Sequence, residues 1–146
     1  MTMDTTIVVA IIAAASGVIV TAISFYLTKK KEREADWRKY KFEQYKGFMV
    51  ALSRTVGSDS TDERQGAYTE ACNTLNLIGT KGILDALREF RDETGPSNPH
   101  KSLEKHDRLL SRLIWEIRQD LEIPGTPKPD EFSARLWCSG TTGIKT

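Results

Sequence analysis

The first hydrophobic block of the chain runs from Ile7 to Leu27, IVVAIIAAASGVIVTAISFYL, and contains no charged residue. Twenty-one helical residues rise about 31 Å, close to the hydrocarbon thickness of a bilayer. A helix satisfies its own backbone, which a lone segment in lipid must do. The pattern therefore predicts one transmembrane helix over residues 1–28, with Tyr26 near an interface. A cleaved signal peptide fits less well, because no Lys or Arg precedes the run and it exceeds the usual apolar length. A buried core helix fits poorly too, because an uncharged stretch this long is rare in a small soluble domain.

Beyond Thr28 the periodicity changes to that of amphipathic helices. Residues 29–56 contain no Pro and one Gly, so the membrane helix is expected to continue as a juxtamembrane helix. There Phe42, Tyr45, Met49, Leu52 and Val56 share a face that Phe48 widens. Gly57-Ser58-Asp59 is expected to break it, and Ser60 with Glu63 has the spacing of a capping box. A second helix places Tyr68, Ala71, Cys72, Leu75 and Ile78 on one stripe and stops near Gly79. A third carries Ile83, Leu84, Leu87 and Phe90 and ends before Gly95-Pro96. A fourth aligns Leu103, His106, Leu110, Leu113, Ile117 and Leu121, broadened by Leu109 and Ile114, and Pro124-Gly125 closes it. Phe132, Leu136 and Trp137 are too apolar for a free end, so a short strand or helical turn is expected to dock there. The expected class is all-α: a transmembrane helix (1–28), its juxtamembrane continuation (29–56), a cytoplasmic helical domain (57–137) and a flexible tail (138–146).

Charge sets the orientation. All 21 Lys and Arg follow Thr28, as do 19 of the 20 acids, the exception being Asp4. Lys29, Lys30, Lys31 and Arg33 lie directly after the apolar run, so the positive-inside rule puts the N-terminus outside and the rest in the cytoplasm. Residues 29–46 hold eight bases and four acids, a net of +4. Such a patch attracts anionic headgroups by about 1 kcal/mol per nearby base. The interleaved acids argue against duplex nucleic acid as a partner. Two cysteines, Cys72 and Cys138, exclude a disulfide framework, and reduced thiols suit the cytoplasm.

Within the apolar run, Ala10, Ala14, Gly17, Thr21, Ser24 and Thr28 recur at heptad spacing, leaving Ile7, Ile11, Val18, Ile23 and Phe25 among the bulkier residues for lipid. Small stripes let membrane helices approach closely. With one span in the sequence, that seam is expected to join copies in a homo-oligomer.

Catalytic chemistry is hard to find. His100 and His106 lack metal-ligand spacing, and neither cysteine has a CxxC partner, so no metal or cofactor is expected. No nucleophile motif is present, and Cys72 reads as a packed small hydrophobe. Gly79-Thr80-Lys81-Gly82 lacks the GxxxxGK[ST] pattern and reads as a turn. Glu63, Glu70, Asp85, Glu89, Asp92 and Glu93 read as solvated helix faces. Ligand binding has more support. Asn73, Thr74 and Asn76 precede the Gly79 turn beside Lys81, and Arg88, Arg91, Arg108, Arg112 and Arg118 decorate the later helices. The ligand candidates are Asn73, Asn76, Lys81, Arg88, Arg108 and Arg112, set against local pairing of these arginines with nearby acids.

The segments KKKEREADWRKYKFEQYK, EACNTLNLIGT, HDRLLSRLIWEIRQDL and FSARLWCSG together resemble a family of small bacterial proteins with one N-terminal membrane helix and a cytoplasmic helical domain. The resemblance covers most of the chain and carries no assigned activity. In layout the chain is similar to membrane effectors of bacterial antiviral systems, including accessory proteins of type III CRISPR systems. That similarity implies a cyclic oligonucleotide as ligand. The expected function is thus a non-enzymatic inner-membrane oligomer that senses a ligand or partner and acts through its membrane helices. The alternative is a passive anchor or adaptor, and an enzyme such as a nuclease or lipid hydrolase is the third reading.

Overall fold

A computed structural model describes residues 4–55 and 61–136 of the chain. Four helices account for the regular structure among these residues: α1 (Thr5–Thr55), α2 (Asp62–Ile78), α3 (Lys81–Thr94) and α4 (Leu103–Asp120). The fold is all-α, as the periodicities predict. Val56, the Gly57–Ser60 break, Trp137 and the 138–146 tail lie outside the described residues.

The chain divides into two units, Met1–Lys39 and Tyr40–Thr146. The boundary falls inside the 29–56 segment, because only its later turns carry apolar side chains that meet other helices. In the first unit α1 is long and apolar enough to cross a membrane, and none of its most apolar 18-residue window is buried by protein. Its hydroxyls are satisfied locally where a bond is seen: Thr21 Oγ1 donates to the Gly17 carbonyl at 2.8 Å.

In the second unit the last turns of α1 supply Tyr45, Phe48 and Leu52 to a core shared with Cys72, Leu75 and Ile78 of α2, Ile83, Leu87 and Phe90 of α3, and Leu110, Leu113 and Ile117 of α4. Each large side chain buried here contributes about 1.5–3 kcal/mol of transfer free energy. α3 packs most extensively on α4 and less on α2. Two residues of the expected apolar faces are exposed instead. Phe42 is 49% exposed and Leu103 is 77% exposed. Phe42 lies one residue off the Tyr45–Phe48–Leu52 stripe, and Leu103 opens α4 before the turn that reaches α3.

Helix ends follow local chemistry. Thr61, rather than Ser60, caps α2, its side chain accepting from Arg64 N. Gly79 ends α2, and a Cβ there would meet the Leu75 carbonyl at 2.8 Å and Ile83 at 3.1 Å, so the tight α2–α3 turn requires glycine. α4 stops before Pro124-Gly125. Glu122 adopts φ 52°, Glu122 N donates to Gln119 O, and Ile123 N donates to Arg118 O. This is a Schellman closure with a non-glycine residue in the left-handed position, held because Ile123 packs on the core.

Among the described residues the segment after α4 docks without a strand, through loop and one hydrogen-bonded turn in which Glu131 N donates to Lys128 O at 3.1 Å. Trp115 Nε1 donates to the Pro127 carbonyl at 2.8 Å, and Ala134 N donates to Ser111 Oγ at 2.9 Å. Leu136 packs on the core, and the Arg118 guanidinium lies 5.7 Å from the Phe132 ring centre. Pro127 and Pro129 deny the segment the amides a helix or ladder needs.

Candidate functional site

Three charged side chains sit where the apolar stripes would call for hydrophobes. Lys41 precedes Tyr45, Phe48 and Leu52 at helical spacing, and Asp120 follows Leu113 and Ile117 in the same way. They meet: Lys41 Nζ donates to Asp120 Oδ1 at 2.8 Å and Oδ2 at 2.9 Å, and Tyr45 Oη donates to Asp120 Oδ2 at 2.6 Å. The Lys41 and Asp120 side chains are only 13% and 7% exposed. Burial, reinforced by the Asp120 carboxylate, pushes the Tyr45 phenol far above its usual range, so it stays a donor. This cluster ties the end of α4 to α1 with bonds that demand one register.

Glu93 is the third, and the expectation that it lies on a solvated face is overturned. It is 2% exposed, because it extends the Ile83–Ala86–Phe90 stripe beneath the α3–α4 loop. Its Oε1 accepts from Ser102 N at 2.8 Å, and Oε2 accepts from Asn98 Nδ2 at 3.2 Å and pairs with Lys105 at 2.7 Å. The Lys105 ammonium, then the Ser102 amide, hold its carboxyl below the usual glutamate range. The loop itself provides the cover, so the group is shielded rather than deep. His106, on the same face of α4, packs against the Phe90 ring at 5.2 Å and contacts Asp107 Oδ1 at 3.1 Å.

The six proposed ligand residues do not converge on one place. Asn76 and Arg88 line a cavity of about 590 Å³ between α2 and α3, together with Tyr68, Leu84, Leu87 and Arg91. Arg108 and Arg112 line another of about 520 Å³, between α4 and the docked segment, with Arg135, Asp107 and Asp130. Asn73 is on the open surface of α2, and Lys81 pairs with Asp85, holding that carboxyl low. Local pairing also claims some arginines. Arg112 makes two bonds to Glu89, at 2.8 and 2.7 Å, and Arg88 reaches Asp85 at 3.4 Å.

On α1, Lys29 pairs with Glu32 at 2.6 Å and Lys30 lies 3.8 Å from Glu34, while Lys31 and Arg33 make no ion pair among the described residues. The small-residue stripe is exposed along its length. Cys72 is buried, and desolvation raises its thiol, as a packed cysteine requires. Among the described residues no three His, Cys, Asp or Glu side chains gather where they could hold a metal ion.

The signal for the two buried charge clusters was present in the sequence. Lys41, Glu93 and Asp120 each prolong an apolar stripe by one helical step, and a charge at such a position demands a partner. No protein-family model matches this chain, and no solved structure matches it.

Proposed function

We propose that this chain is a non-enzymatic oligomer anchored in a bacterial inner membrane by the first half of α1. In this reading its N-terminus is outside, and its folded cytoplasmic unit senses a ligand or partner and acts through the membrane helices. One observation carries it: α1 holds both an apolar run that no protein covers and the Tyr45, Phe48 and Leu52 side chains of the core. A shift of α3 or α4 would reach that helix through the core and through the Lys41–Asp120 pair, and a hydrogen-bonded helix passes displacement along its length. The exposed Ala10–Thr28 stripe supplies the seam between copies. Lys31 and Arg33 are left for headgroups. An antiviral effector switched by a cyclic oligonucleotide is the sharper form of the reading, since copies around an axis would multiply the basic cavities.

Exchange of Ile7–Leu27 for an unrelated membrane anchor tests it. In detergent the native chain is expected to run by mass photometry as a multiple of 16.4 kDa, and the exchanged chain at lower order. A strictly monomeric native chain overturns the oligomer, and full function after the exchange leaves a passive adaptor. Cleavage of a C-terminal tag by protease added to whole cells overturns the orientation.

A further inference from the structure

We propose that the cavity between α2 and α3 binds an organic phosphomonoester of nucleoside monophosphate size. The proposal supplies the ligand for the sensing role above and rests on that reading.

Charge is the first argument. Arg88 and Arg91 lie one turn apart on α3, and both line the cavity, where Asp92 is the one carboxylate. Among the described residues Arg91 pairs with no acid, and the Arg88 tie to Asp85 is long, at 3.4 Å. Two guanidinium forks this close suit a dianionic phosphate, which offers several oxygens to planar donors. The cavity beside α4 also holds Arg108, but there Arg112 is committed to Glu89 and two carboxylates, Asp107 and Asp130, share the lining.

An unmet hydrogen-bonding group is the second. Tyr68 lines the cavity, and its Oη is buried without a hydrogen-bond partner. The Cys72 thiol lies near enough to influence it. Burial pushes the phenol up, so it remains a protonated donor. An orphaned buried hydroxyl costs about 1–3 kcal/mol, and a ligand oxygen that reached it on a small turn of the Tyr68 side chain would recover that cost.

Size is the third. At about 590 Å³ the space falls in the range of small-molecule sites. Bare phosphate would fill a small part of it and leave the Asn76 amide and the Leu84–Leu87 wall without contacts. The ligand therefore carries an organic body with polar edges.

The test is calorimetric titration of the full chain in detergent micelles with AMP, GMP, CMP and UMP, with inorganic phosphate and adenosine as separate arms. At least one nucleotide is expected to bind with Kd below about 1 mM, more tightly than either fragment. Arg91→Gln should weaken it about tenfold, and Tyr68→Phe about threefold without lowering the thermal midpoint. Lys46→Gln, at an exposed cation of α1 outside both cavities, should leave it unchanged. Absence of binding by all four nucleotides overturns the proposal, as does undiminished binding by Arg91→Gln. Phosphate or adenosine matching the best nucleotide also overturns it. These results stand apart from the test of anchoring: Arg91-dependent binding by a monomeric chain upholds the cavity while the oligomer fails. A stable oligomer that binds no nucleotide does the reverse.

Discussion

The two units of this chain use the same kinds of side chain in opposite ways. In Met1–Lys39 most Ile, Val and Phe residues of α1 are about half exposed or more, Val18 at 70% and Phe25 at 65%. In Tyr40–Thr146 the apolar residues on the inner faces of α3 and α4 are sealed, with Ile83, Leu110 and Leu113 fully buried. The second unit is stabilised by side chains packed between helices; the apolar run of the first is covered by no protein among the described residues. Its apolar surface needs a solvent or partner from outside, and lipid is the one the proposed function assigns. Charges invert in the same way. On α1 before Lys39 they pair along one helix at the surface, whereas Lys41–Asp120 and Glu93–Lys105 join separate elements under cover.

Truncating one aromatic in each unit tests that contrast most severely. Phe90→Ala removes a side chain that is 1% exposed and should cost about 3–5 kcal/mol, read as a lowered thermal midpoint of helicity in detergent. Phe25→Ala should leave that midpoint within about 0.5 kcal/mol. If Phe25→Ala destabilised the folded unit comparably, the first unit would not be independent of protein packing, and the comparison would break.

The shielded ion pair comes next in size. Asp120→Ala removes the carboxylate that pairs with the largely covered Lys41 ammonium and accepts from Tyr45, so about 3 kcal/mol should be lost. Tyr45→Phe removes one charge-assisted bond and keeps the ring packed, for about 1.5 kcal/mol. The double variant should cost little more than Asp120→Ala alone, because both bonds end on one carboxylate. Fully additive losses would mean that Tyr45 and Lys41 hold α4 independently.

Much of this architecture was legible in the periodicity. The break at Gly79, the end of α3 before Gly95, and the Leu110–Leu113–Ile117 stripe follow from spacing alone, because local pattern and final packing agree. Departures arise where a tertiary partner decides. Phe42 and Leu103 satisfy the apolar pattern but lie at the edge of what the neighbouring helices can cover. Glu93 satisfies a polar pattern, yet the α3–α4 loop folds over it and supplies two donors, with Lys105 of α4 as the third. The ligand residues were chosen by type and proximity in sequence, and α2, α3 and α4 distribute them between two cavities and open surface. Helical spacing specifies which residues share a face; it does not specify which face meets which.

The smallest effect is the most specific to loop cover. Because Lys105 and the Ser102 amide depress the Glu93 carboxyl in the folded chain, its contribution is present above the unfolded pKa near 4.3. That contribution fades as pH falls through the lower folded value. Glu93→Gln cannot pair with Lys105, so at pH 7 its thermal midpoint should lie below that of the native chain. As pH falls through that lower value the two midpoints should converge, because the native carboxyl then loses its charge. Surface pairs such as Lys30–Glu34 should give no such convergence when the acid is neutralised, since solvent already screens them. A Glu93→Gln gap that stays constant from pH 7 to pH 3 would show that the carboxylate's charge is not what secures the loop. The distinction between covered and open charges drawn above would then rest on Lys41 and Asp120 alone.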